Sequence, residues 1–172
     1  MKIYIKLLII ASLLFIDGNS FSLNNRFSWG TKIDQVKKTL DDNTLTFDLK
    51  NSRYKNKILD FFLSIDRSIE KDIIIVRKKG YPTTDYTFLK NKLYAVTYNY
   101  GTQPRAKGRG ILKKLKSKYK LESKKRDRNL FIYAFNDSKS NIYFYVTLKG
   151  SKAQCTLYLH SKRLFRIVMM GY

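Results

Sequence analysis

Gly101–Gly110, GTQPRAKGRG, and the segment that follows it, Ile111–Tyr119, ILKKLKSKY, divide this chain. Three glycines and Pro104 within ten residues read as a loop or hinge, since glycine frees the backbone and proline removes an N–H donor. Beyond it, Ile111, Leu112, Leu115 and Tyr119 recur at helical spacing, with Lys113, Lys114, Lys116 and Lys118 around the stripe.

The same order is legible upstream. Trp29–Leu40, WGTKIDQVKKTL, opens on a Trp-Gly turn and continues with Ile33, Val36 and Leu40 at helical spacing. Thr31 and Asp34 stand where a capping box would place them. Leu45, Phe47 and Leu49 then alternate with polar residues, and Lys57–Ile65, Ile73–Lys78, Tyr86–Leu89 and Lys92–Tyr100 read as further strands. In the last of these, Tyr94, Val96, Tyr98 and Tyr100 are expected on one face. Strands resume at Leu130–Phe135, Asn141–Leu148, Lys152–His160 and Leu164–Met170, with turns at Asn136–Ser140 and Lys149–Ser151.

The order helix, strands, loop, helix, strands predicts an α+β fold of two helix-plus-antiparallel-meander halves, 27–100 and 107–171, joined by a 101–110 loop and sharing one core. Each half alone would leave a broad sheet face exposed. Too few helical crossovers are present for a doubly wound parallel sheet.

Residues 1–22, MKIYIKLLIIASLLFIDGNSFS, have the organisation of a secretory leader: Lys2 and Lys6, an apolar run Leu7–Ile16, and small residues that allow cleavage near Ser20 or Ser22. The run is short for a membrane span of about 20 residues. Residues 23–172 are then expected as a single periplasmic or secreted domain; a retained N-terminal anchor is the alternative reading. The whole chain carries 35 Lys and Arg against 13 Asp and Glu, a net charge of +22. Loss of Lys2, Lys6 and Asp17 with the leader leaves 33 against 12, about +21. Such a field attracts anionic polymers, membranes and nucleic acid without choosing among them.

Trp29-Gly30-Thr31 with Val36 and Leu40, and Leu112, Leu115 and Lys118-Tyr119 in the second half, resemble small exported bacterial domains in which a Trp-Gly turn and an amphipathic helix precede a meander. The groups resembled, over residues 27–171, are the beta-lactamase inhibitory protein-like fold and the outer-membrane-assembly small lipoproteins. The resemblance implies a tandem helix-plus-meander fold and a role in protein contacts or envelope organisation. The chain lacks the lipid-accepting cysteine of the second group and the cysteine pairs of the first, since Cys155 is its single cysteine. Ala153, Cys155, Leu157 and Leu159 share one strand face, so Cys155 reads as a buried small apolar residue.

Arg105–Arg128 is the densest charge segment, with twelve basic residues against Glu122 and Asp127, a formal +10. Arg105, Lys107, Arg109, Lys113, Lys114, Lys116 and Lys118 are the candidate anion-binding residues. Backbone N–H groups at the glycine-rich helix entry would meet a phosphate or sulfate. The competing reading is a solubilising surface. Gly108-Arg109-Gly110 lacks the Gly-Lys-Ser/Thr ending of a nucleotide-hydrolase loop. The expected partners are an anionic envelope polymer, an anionic lipid surface or an acidic protein. Stacking of nucleic acid on Tyr98, Tyr100, Tyr119, Phe131 or Tyr133 is disfavoured, because aromatic residues throughout this chain serve sheet packing and export removes it from chromosomal nucleic acid.

A second candidate surface is the strand Asn141–Leu148, where Tyr143 and Tyr145 lie opposite Ile142, Phe144 and Val146. These tyrosines are the candidate protein interface of an inhibitor-like alternative, weighed against plain sheet packing. No catalytic, cofactor or metal site is assigned. His160 lies on the opposite parity to Cys155, which weakens a Cys-His nucleophile, and reads as a surface or turn residue. No close His/Cys/acid set forms a zinc signature. An uncharacterised envelope hydrolase is the third reading.

Overall fold

The computed structural model describes residues 27–40, 44–48 and 73–169. The leader and the expected strand Lys57–Ile65 lie outside the described residues. Element order is α1 (Ile33–Leu40), β1 (Thr44–Asp48), β2 (Ile73–Lys78), β3 (Thr83–Leu89), β4 (Lys92–Pro104), α2 (Arg105–Lys118), β5 (Lys120–Asp127), β6 (Leu130–Asn136), β7 (Ser140–Lys149), β8 (Lys152–Ser161) and α3 (Lys162–Met169).

All eight strands form one antiparallel sheet in the order β1-β2-β3-β4-β8-β7-β6-β5. This corrects the expectation of two helix-plus-meander halves around a shared core. The reason lies in the stretch 101–110, which is no loop. Gly101–Pro104 extend β4, which stays paired with β8 from Ala95↔His160 to Pro104↔Lys152, and Arg105–Gly110 are the first turns of α2. A seam of that length makes the sheet continuous, and the sheet then divides the apolar residues between its two faces. Val36 of α1 packs on Val76, Phe88, Leu93 and Val96, and Leu115 of α2 on Phe135, Ile142, Phe144, Cys155 and Leu157. Ile73, Ile75, Leu89, Tyr94, Ala95 and Tyr158 pack on the opposite face, joined by Leu164 and Phe165 of α3.

Two residues of β4 are extra in the register. Thr87 pairs with Ala95 and Phe88 with Leu93, so Tyr94 bulges; Asn99 pairs with Thr156 and Gly101 with Cys155, so Tyr100 bulges. The first bulge moves Tyr94 to the α3 side while Val96 and Tyr98 stay on the helix-covered side, which breaks the expected four-residue stripe. Gly101, at φ +61°, accommodates the second.

Caps are drawn from distant residues. The Ile33 N–H donates to Asn91 Oδ1 at 3.2 Å, so the β3–β4 turn caps α1, while Thr31 Oγ1 donates to the Ser28 carbonyl at 2.7 Å. The expected Thr31–Asp34 box is absent. Trp29 Nε1 donates to Ser140 Oγ at 3.0 Å and ties the opening turn to the start of β7. At the other end, the Leu164 N–H donates to Ser161 Oγ at 3.2 Å, the bond of a serine N-cap. It starts a helix where Leu164–Met170 was expected to be a strand.

α2 contains two glycines in different settings. Gly110 has open space where a Cβ would stand, whereas a Cβ on Gly108 would lie 3.0 Å from Cys155 Sγ. Gly110→Ala is therefore expected to stabilise the protein by about 0.5–1 kcal/mol through helix propensity alone, read as a shifted urea midpoint at constant m-value.

Candidate functional site

α2 presents its cations because its apolar residues are few and grouped. Gly108 and Leu115 are buried, Ile111 and Leu112 half-buried, and Arg105, Lys107, Arg109, Lys113, Lys114, Lys116 and Lys118 are all exposed. Spacing sorts the seven into two flanks of the helix. Arg105, Arg109, Lys113 and Lys116 follow at i, i+4, i+8 and i+11, and Lys107, Lys114 and Lys118 at i, i+7 and i+11. The first turn holds no acid and Pro104 gives no side-chain cap. Among the described residues the seven carry no ion pair. An ion pair among the described residues, Arg77–Asp85 at 2.6 Å, lies on β2 and β3.

The rest of the Arg105–Arg128 charge lies on β5, which is exposed along its whole length and forms the sheet's outer edge. Cross-strand pairing places Lys124 beside Tyr133 and Arg126 beside Phe131, and both rings lie on the α2 side of the sheet through their neighbours Phe144 and Val146. Lys124 Nζ is 5.8 Å and 5.9 Å from the Phe131 and Tyr133 centroids, and Arg126 Cζ is 5.2 Å from Phe131. Lys118 Nζ lies 5.4 Å from the Tyr119 centroid. Cation–π contact of this kind holds long side chains in place at a worth of about 0.5–1 kcal/mol each where exposed. Lys125, by contrast, pairs with Ile132 on the other face. The basic side chains of α2 together with Lys124 and Arg126 thus form one surface on one side of the sheet. Periodicity gave no sign of the β5 part, since KLESKKRD carries no apolar alternation.

The expected tyrosine interface has a different setting. Tyr143 and Tyr145 are half-buried and pack against the α3-side cluster. Tyr143 lies 6.4 Å from Tyr145, 6.5 Å from Tyr158 and 5.8 Å from His160, stacked on the last at 8°. Burial pushes the Tyr145 hydroxyl up to about 12, with Tyr143 adding to the shift. Of the rings considered for stacking, Tyr100 is buried and Tyr98 mostly covered, while Tyr119, Phe131 and Tyr133 are half-buried.

His160 is not a surface or turn residue. It is 2% exposed, with Tyr94, Tyr143, Tyr158 and Phe165 around it at 6.1, 5.8, 5.6 and 4.8 Å between ring centroids. Burial lowers its pKa to about 4, partly offset by a backbone hydrogen bond at Ser161. Cys155 is buried on the opposite face, where burial pushes its thiol up. Strand parity therefore keeps the two apart, as alternation requires. Among the described residues no group of three or more His, Cys, Asp or Glu side chains is placed to hold a metal ion, and no helix is long and apolar enough to cross a membrane.

No family model matches the chain, and no curated protein or solved structure does so either.

Proposed function

We propose that this chain is an exported, non-enzymatic binding or accessory protein of the cell envelope. It contacts an anionic polymer, an anionic lipid surface or an acidic protein through α2 and the neighbouring side chains of β5. One observation carries the reading: seven cations project from a single 14-residue helix, exposed and without an ion pair among the described residues. A solubilising surface is served by mixed, interspersed charge. Here one sign is gathered on one side of the sheet, an arrangement that raises local counter-ion concentration and speeds encounter with an anionic partner.

The test compares the purified protein with the K113Q/K114Q/K116Q/K118Q variant against anionic vesicles, a polyanionic glycan and an acidic protein at low salt. Exposed substitutions of this kind leave the core intact, so both proteins should melt alike. The expected result is binding to at least one probe, weakened about tenfold or more in the variant, since each lost contact carries a counter-ion release term. Binding to none of them, or equal binding by both proteins, would refute the reading.

A further inference from the structure

We infer that the ground between α2 and β5 is a recess for a single extended acidic polysaccharide chain, a refinement that rests on the anionic-partner reading above. Sheet register defines the recess. Cys155, Val146, Phe131 and Arg126 form one row across β8, β7, β6 and β5, on the side of the sheet that faces α2. Gly108 of α2 rests on Cys155 at one end of that row, so roughly 14 Å separates the two ends at ordinary strand spacing. At its other end α2 runs directly through Tyr119 into Lys120 of β5. The helix therefore crosses the sheet diagonally and meets β5 at one end only.

Burial follows that diagonal. Phe135, Ile142 and Phe144, near the junction of α2 with β5, are buried. Farther along the same two strands, Tyr133, Phe131, Val146 and Leu148 are half-buried. The half-buried residues floor a wedge walled by the β5-facing flank of α2 with its cations and, on β5, by Lys124 and Arg126. The half-width of α2 with its side chains takes about 5–6 Å of the roughly 14 Å row, so the open end admits one polymer strand rather than a duplex or a bilayer.

One feature favours an acidic glycan over single-stranded nucleic acid. Bases stack on open ring faces. Here Lys124 lies over Phe131 and Tyr133, and Arg126 over Phe131, in the position a stacked base would take. Cations held in this way are set to receive the carboxylates of the chain, one of which Arg126 can bind in a planar, two-point manner. The apolar C–H faces of successive sugars can then cover the half-buried Val146 and Leu148 beside the capped ring.

The test measures binding of a size-defined oligogalacturonate, a neutral dextran, an oligo-dT of matched charge and anionic vesicles to four proteins: wild type, K124Q/R126Q, F131T and K113Q/K114Q/K116Q/K118Q. The expected result is that oligogalacturonate binds wild type about tenfold more tightly than oligo-dT, loses about tenfold in K124Q/R126Q and several-fold in F131T, and that dextran does not bind. Because K124Q/R126Q changes only exposed side chains, it keeps the test valid if F131T is poorly folded. Equal or tighter binding of oligo-dT overturns the inference. So does oligogalacturonate binding unaffected by K124Q/R126Q but lost in K113Q/K114Q/K116Q/K118Q, a result that would leave the broader anionic-partner reading standing. Binding of vesicles alone, or of no probe, overturns it as well, and no probe binding overturns both.

Discussion

Lowering the pH from 7 towards 4 should cost this protein about 3 kcal/mol of stability through His160 alone. The ring is neutral in the fold because its surroundings are aromatic and dry: Tyr143 and Tyr94 stack on it, and Phe165 of α3 lies 4.8 Å away. Its folded pKa is near 4 against an ordinary value of 6.5. Between those values the unfolded chain holds a proton that the folded chain rejects. The contribution is therefore full above about pH 6.5, declines as pH falls, and is lost below about pH 4. His160→Phe keeps a planar ring and removes the proton-binding group. Urea unfolding of the two proteins at pH 7, 5.5 and 4 should show a gap that changes in favour of the variant by about 3 kcal/mol over the range. Parallel pH profiles would show that the histidine is solvated.

Replacing Gly108 by valine should be comparably damaging, at about 3 kcal/mol, because it pushes α2 off the sheet. The first added carbon already lies 3.0 Å from Cys155 Sγ and 4.0 Å from Ala153 Cβ, both on a rigid strand. The two branches of valine have no room beyond it. Gly108→Ala is subtler, since a helix-propensity gain of about 1 kcal/mol opposes the sulfur contact and leaves the change near neutral. In a Cys155→Ala background the sulfur is gone, and the same substitution should recover that gain. A double-mutant cycle then yields a coupling of about 1 kcal/mol. Additive effects would mean that α2 is not seated on Cys155.

These glycines also show what the sequence could and could not disclose. Glycine is read as punctuation, yet Gly108 is a contact surface, and close approach of a helix to a sheet writes the same letter as a turn. Misreading it turned a strand end and two helical turns into a loop, and with the loop came two halves instead of one sheet. Strands were legible where aliphatic residues on the helix-covered face alternate with others: Ile142 and Phe144 against Tyr143, or Cys155, Leu157 and Leu159 against Thr156 and Tyr158. β5 was illegible for the opposite reason, being an edge exposed on both faces with nothing to alternate. α3 was hidden because Leu164, Phe165, Ile167 and Val168 make a short apolar run that reads as strand or helix alike, and its start is set by the Ser161 side chain.

The cations of the candidate site could be counted from the sequence, and the glycine-hinge reading still placed a helix among them. That Lys124 and Arg126 share their side of the sheet depends on the register of β5 with β6, including the extra residue Glu122 between Leu121 and Ser123. Without that shift the parity of the strand would turn both side chains to the other face. His160 was misplaced because one polar residue at the end of a strand looks like a terminus. Its burial comes from the turn into α3 and from aromatic residues as distant as Tyr94.

The proposed contact between the α2–β5 surface and an anionic polymer is tested most directly by its salt dependence. Affinity for a polyanionic glycan is measured between 50 and 200 mM salt for wild type and for K113Q/K114Q/K116Q/K118Q. The expected result is a steep linear fall of log K with log salt for wild type and a clearly shallower line for the variant, because fewer counter-ions are released. Superimposable lines would contradict it, and would place the binding charge elsewhere on the molecule.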